Sequence, residues 1–163
     1  MAIADALLAE YDKETSITRR LIERIPPDKF DWKPHPKSTS MSGLGRHLAH
    51  MITWGTLALS QTQSDAADRV GPPPTATVAD ILALYDRNVA ATRALIVGKS
   101  DEELTERWTL MHQGKVAIDQ PRAAVVQSLI LNHMIHHRGQ LSVYLRLNDV
   151  PVPSIYGPSA DER

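Results

Sequence analysis

Apolar residues recur at helical spacing in four long stretches of the chain, each bounded by residues that begin or end helices. The Pro26–Pro27 pair ends the first stretch, and Ser40 or Ser42 is placed to cap the second. Thr77 to Asp80 resembles a capping box at the third, and Pro121 opens the fourth. The predicted helices cover residues 2–25, 41–62, 77–98 and 121–147. Four such helices indicate an all-α four-helix bundle.

The connections between these helices are long. Residues 26–40 and 63–76 are rich in proline, and neither divides the chain into parts with separate cores, so residues 1–163 are expected to form a single domain. Before the last helix, Trp108–Leu110 and Val116–Ile118 alternate in polarity around the segment 112–115, which predicts a small β-hairpin.

The composition excludes several classes of protein. The 163 residues carry a formal net charge of −1 without a basic block, which argues against nucleic-acid binding. Apolar runs are too short for a membrane helix, and the acidic N-terminal segment does not resemble a secretory signal. The chain has no cysteine, so disulfides, zinc–thiolate sites and a protein thiol nucleophile are excluded, and a cytoplasmic location is expected.

Two histidines lie on the core face of the fourth predicted helix. At ~100° per residue, His137 lies within ~60° of His133, as do the apolar residues Val126 and Ile130. His136 points ~60° to the side. Histidines spaced i, i+4 can share one cation, although two hydrogen-bonded core histidines are an alternative.

The second predicted helix adds another inward histidine. His47 lies at the centre of its apolar face with Leu44 and Met51, whereas His50 lies off the edge; a shift in register would exchange them. Three imidazoles with an open position are typical of a catalytic metal site, and imidazole binds Zn²⁺, Ni²⁺ and Fe²⁺. Without a carboxylate ligand, such a site keeps net positive charge and favours a hydroxide or an anionic substrate.

Three segments resemble the DinB/YfiT-like superfamily: HLAHMITW in the second helix, NHMIHHRGQLSVYLRLNDVPVP near the C-terminal end, and the loop FDWKPHPKS. The resemblance covers essentially the whole chain. It implies a four-helix bundle, often dimeric, in which His47, His133 and His137 bind a divalent metal. Some members of that superfamily are thiol S-transferases that use a low-molecular-weight thiol, and others are described as metal-dependent hydrolases.

Three further polar residues are candidate catalytic groups. Glu14 lies near the centre of the first helix's apolar face, where it could contact an imidazole or act as a general base; a position at the bundle edge, reaching water, is the alternative. Gln140 and Tyr144 lie one and two turns beyond His137, where they could orient a ligand or fill the core. Arg138 points away from the core, so a structural salt bridge is expected there.

Leu131, Met134 and Ile135 fall outside the stripe that carries the histidines, so the fourth helix is apolar on two sides. A helix with two apolar faces usually has two partners. We therefore expect a homodimer in which a second subunit covers these residues, with a loop or the C-terminal tail as the alternative cover.

The histidine pattern thus predicts a metal enzyme, and the resemblance implies a thiol S-transferase that acts on small electrophilic molecules. Since the chain has no cysteine, the thiol would be a small cofactor. The alternatives are a metal-dependent hydrolase and a non-catalytic metal-binding stress-response protein. An open coordination position facing a cavity would favour an enzyme, whereas a fourth protein ligand would favour a structural site.

Overall fold

The long helices of the computed structural model surround one contiguous apolar core. The structure describes residues 2–162. The helices are α1 (Ile3–Glu23), α2 (Met41–Met51), α3 (Thr53–Ser60), α4 (Val78–Val97), α5 (Asp101–Thr105), α6 (Arg122–Val125) and α7 (His133–Arg146). Helix α1 and helix α2 each pack against α4 and α7, so α1 and α2 lie across the bundle from each other. This arrangement confirms the predicted bundle and the Thr77–Asp80 capping box of α4.

The second predicted helix is interrupted at Ile52, which separates α2 from α3. Side chains of α4 bind one carbonyl before the break and one at the break itself. Asn88 Nδ2 donates to the carbonyl of Ala49 at 2.9 Å, and the Thr92 hydroxyl donates to that of Ile52 at 3.2 Å. Helices are commonly interrupted where a side chain inserts among the main-chain hydrogen bonds. A Cβ on Gly55 would lie 2.8 Å from Thr92 Cγ2, so glycine permits the close approach of α3 to α4.

The fourth predicted helix begins at Arg122, one residue after Pro121, and its middle section differs from the expected α-helix. Residues Val126–Asn132 form a π-helical segment between α6 and α7. The wider turn changes the direction of side chains before His133 relative to those after it. From His133 onwards the helix is regular, so the angular relation between His133 and His137 holds.

The apolar residues expected at a dimer interface belong to the core of the subunit itself. Leu131 and Met134 are fully buried, and Met134 Sδ accepts a hydrogen bond from the Tyr85 hydroxyl at 3.6 Å. Ile135 is half-buried. The expectation that all three face a second subunit is therefore wrong. Because α7 packs on both α1 and α2, its two apolar faces have partners within one bundle.

A small sheet closes one end of the bundle. The predicted hairpin is present, with strands β2 (Arg107–His112) and β3 (Lys115–Pro121) antiparallel. Its turn has positive φ at Gln113 (51°) and Gly114 (73°), as tight hairpin turns require. A third strand, β1 (Gln63–Asp65), pairs in parallel with β2 and was not predicted, since three polar residues carry no alternating pattern. No helix within residues 2–162 is long and apolar enough to cross a membrane.

Candidate metal centre

Three histidines from two neighbouring helices converge at one point. His47 comes from α2, and His133 and His137 come from successive turns of α7. His133 Nε2 lies 3.4 Å from His47 Nε2 and 2.8 Å from His137 Nε2. One ligand atom from each ring lies within 4.8 Å of the other two. The three residues predicted as ligands are therefore brought together and could hold a metal ion.

Hydrogen bonds on the far sides of two rings determine which nitrogens face the centre. His137 Nδ1 lies 2.8 Å from Gln140 Oε1, which can only accept, so Nδ1 carries the proton. His133 also forms a hydrogen bond with the backbone of Leu129. With their protons directed outwards, both rings present an Nε2 lone pair to the centre.

The donor set fits a divalent ion. Two unprotonated nitrogens 2.8 Å apart repel each other, and a cation between them removes that repulsion. Tetrahedral zinc with Zn–N distances of about 2.0–2.1 Å places ligand nitrogens about 3.3 Å apart. The observed separations of 2.8 and 3.4 Å need only small side-chain adjustments to reach that value.

Burial favours the neutral forms of His47 and His133. Desolvation, followed by the nearby histidines, lowers the pKa of His47 from 6.5 to about 4. Burial also lowers the pKa of His133, again with a contribution from His137. Neutral imidazole is the form that binds metal, so at neutral pH these rings bind without first releasing a proton.

The other two histidines considered as ligands have different partners. His50 Nε2 lies 2.9 Å from the carbonyl of Val70, outside the cluster, and burial lowers its pKa. His136 is exposed, and its Nε2 lies 3.1 Å from Gln140 Nε2. Gln140 therefore joins His136 to His137 by accepting from one ring and donating to the other.

A cavity of about 430 Å³ opens onto the three histidines. Gln140 and Tyr144 line it, and the Tyr144 ring packs edge-on against Trp32 with centroids 5.5 Å apart. The sequence had placed Gln140 and Tyr144 near the site but had assigned no role to three other lining residues. These are Lys37, Ser38 and Thr39. The only signal for them was the FDWKPHPKS segment, which ends with Lys37 and Ser38 and is followed by Thr39.

Glu14 is not part of this cavity, which corrects its prediction as a catalytic group. Glu14 is buried, with 3% of the residue exposed. Its Oε2 forms an ion pair with Arg138 at 2.7 Å. Glu14 Oε2 also accepts from the Tyr156 hydroxyl at 2.8 Å. The alternative of an exposed carboxylate is wrong as well. The reason is the order of the helices. The Glu14 side chain lies in the interface that α1 forms with α7, whereas His47 is on α2, across the bundle from α1.

Arg138 makes the salt bridge expected for it, but in the interior. Its side chain is 1% exposed, and besides Glu14 it donates to the Thr18 hydroxyl at 3.3 Å and to the Tyr156 hydroxyl at 2.6 Å. Consecutive residues of α7 thus serve two interfaces. His137 faces α2, and Arg138 faces α1.

Comparison with known proteins gives one consistent result. The DinB family model matches residues 1–163. The uncharacterised Bacillus subtilis protein YrdA is 26% identical over 159 residues, which cover 97% of this chain and 90% of that protein. A crystal structure of the DinB-like protein YjoA from B. subtilis superposes with a TM-score of 0.72 at 20% identity, covering 97% of this chain and 99% of that one. A DinB-like protein from Bacillus cereus gives a TM-score of 0.74 at 20% identity, covering 93% and 97%.

Proposed function

The chain belongs to the DinB family, and on that basis we propose that it is a metal-dependent enzyme that transfers a small thiol to electrophilic small molecules. One observation carries this proposal: three imidazole nitrogens converge beside a cavity of about 430 Å³. A structural metal site would be closed by a fourth protein ligand. Among residues 2–162, only His47, His133 and His137 form such a group, which supports an open coordination position.

The residues that line the cavity have separate roles in this proposal. His47, His133 and His137 hold the ion, and Gln140 fixes the orientation and tautomer of His137. When bound there, a divalent ion would lower the pKa of a coordinated thiol or water and so make a nucleophile available at neutral pH. Tyr144 lines the cavity and offers a hydroxyl to a bound substrate. Ligation by imidazole alone suits Zn²⁺, Ni²⁺ or Fe²⁺.

The residues that line the cavity favour thiol transfer over hydrolysis, and the thiol must come from solution. The sequence contains no cysteine. The cavity lining holds no carboxylate that could act as a general base for water. A thiol is already acidic enough to ionise on the metal without such a base, so the lining residues suit a thiol better than water.

The proposal is tested with protein loaded separately with Zn²⁺, Ni²⁺ and Fe²⁺, the last without oxygen. Each form is incubated with a panel of small thiols and 1-chloro-2,4-dinitrobenzene, in which a C–S bond forms and chloride leaves. We expect a metal-dependent rate above the uncatalysed reaction that is lost in His133→Ala and kept in His50→Ala. Hydrolysis of an activated ester without consumption of thiol would instead support the hydrolase alternative. If neither reaction occurs, a non-catalytic role would be supported.

The homodimer remains a proposal, and the apolar residues of the fourth predicted helix do not support it. Leu131 and Met134 are buried in the subunit core, so they do not argue for a partner. Sedimentation of the metal-loaded protein at high micromolar concentration distinguishes monomer from dimer. A cytoplasmic location, suggested by the absence of cysteine, likewise stays a proposal.

A further inference from the structure

The loop between α1 and α2 supplies the polar wall of the metal-site cavity. Lys37, Ser38 and Thr39 line the cavity together with the histidines. Lys37 is exposed and Ser38 is half-buried. An ammonium group and two hydroxyls that share a small cavity form a set of donors with which an anion can be bound.

This wall is held in place by the main chain. The backbone N–H of Met41 donates to the carbonyl of Trp32, and that of Ser42 to the carbonyl of Phe30, both at 2.9 Å. These bonds fold the loop back onto the first turn of α2. The Trp32 ring, packed against Tyr144, fixes the same loop to α7. The loop residues therefore keep a defined position relative to the histidines.

Close packing at Gly43 brings the end of the wall against α2. A Cβ at this position would lie 2.7 Å from Thr39 Cγ2 and 3.0 Å from Ser40 Oγ. The Ser40 hydroxyl in turn caps α2 by accepting from the backbone N–H of Gly43 at 3.1 Å. The wall and the helix that carries His47 are thus one packed unit.

Lys37 gives this cavity a positive charge, and no carboxylate in the lining opposes it. Its lining includes Lys37 and three histidines but no aspartate or glutamate. Within the described part of the chain Lys37 forms no ion pair, whereas Lys29 pairs with Asp28 and Lys99 with Glu103. A divalent ion held by neutral imidazoles keeps its full charge, so it adds to the field of Lys37.

We propose that Lys37, with the hydroxyls of Ser38 and Thr39, binds a carboxylate on the thiol substrate while its sulfur enters the metal site. This assignment rests on the proposed thiol-transfer function and narrows its substrate to thiols that carry an anionic group. One lysine and two neutral donors match the single charge of a carboxylate. The two ends of such a thiol would be recognised by different residues of one cavity.

The test uses the Co²⁺-loaded protein, in which a coordinated thiolate gives an absorption band. We titrate it with 3-mercaptopropionate and with its uncharged methyl ester, and we take the ratio of the two dissociation constants. Replacement of Lys37 by glutamine should shift this ratio by about five-fold against the carboxylate, because an exposed charge pair contributes up to about that factor. The shift should shrink as salt is raised.

Lys33→Gln is the matched control, since Lys33 is an exposed lysine of the same loop that does not line the cavity. It should keep the wild-type ratio, and both variants should keep the wild-type cobalt content. An unchanged ratio in Lys37→Gln, with both thiols still binding, would overturn the role of Lys37 and leave thiol transfer standing. If neither thiol produces the band in the wild type, thiol transfer and the carboxylate site are both wrong.

Discussion

His47 and His50 lie three residues apart on one helix, yet only His47 contacts the other histidines. We expect His47→Ala, His133→Ala and His137→Ala each to lose stoichiometric binding of a divalent ion, because the two remaining imidazoles bind the ion too weakly. His50→Ala should keep it. Metal analysis of dialysed protein measures the difference, and loss of metal in His50→Ala with retention in His47→Ala would reverse the assignment.

Gln140 is expected to act through His137. Gln140→Ala removes the acceptor for Nδ1–H and should weaken metal affinity about 10- to 100-fold, as loss of such a partner typically does. Competition with a chromophoric chelator measures the affinity. Gln140→Glu, which keeps an acceptor, should retain most of it. Equal affinities in Gln140→Ala and the wild type would show that the hydrogen bond does not orient the ligand.

The cluster of three histidines could be predicted from sequence because the helical segments that carry them are regular. Helix α2 is unbroken to Met51, and α7 is regular from His133, so an angle of ~100° per residue places the three rings correctly. Glu14 was also placed on a buried face correctly. The angle does not tell which helix that face meets, and Glu14 meets Arg138 of α7 rather than a histidine.

The interface between α1 and α7 contains this buried ion pair. Removing one partner, as in Glu14→Ala, leaves Arg138 buried without its countercharge and should cost about 3–5 kcal/mol of unfolding free energy. The double variant Glu14→Leu/Arg138→Met should recover much of that loss. Urea unfolding measures both. Metal content should remain at the wild-type level in every variant that folds, and its specific loss in Glu14→Ala would return Glu14 to the metal site.

The ends of helices and strands could be predicted where adjacent residues determine them. The prediction failed where residues of another helix contribute. The capping box of α4 and the Gln113–Gly114 turn are read from adjacent residues. The break at Ile52 is accompanied by hydrogen bonds from Asn88 and Thr92, which lie 39 and 40 residues from the carbonyls that they bind. The π-helical segment before His133 likewise has no periodic pattern that distinguishes it from an α-helix.

The whole molecule should become acid-sensitive when its metal is removed. His47 has an ordinary pKa of 6.5 in the unfolded chain and a pKa of about 4 when folded. Between these pH values the unfolded state binds more protons than the folded state. The contribution of neutral His47 to the free energy of unfolding is therefore fully present above about pH 6.5 and is lost as the pH falls towards 4. Urea unfolding of chelator-treated protein at several pH values tests this. His47→Gln should flatten the dependence, and an identical slope in that variant would contradict it.

The most direct test of the metal centre is X-ray absorption of the Zn²⁺-loaded protein with and without a small thiol. We predict one ion per chain with three imidazole nitrogens at about 2.0–2.1 Å and a light-atom ligand that thiol replaces by sulfur at about 2.3 Å. His133→Ala should not give this spectrum. A fourth protein ligand that persists when thiol is added, or the absence of a stoichiometric ion, would contradict an open three-histidine site.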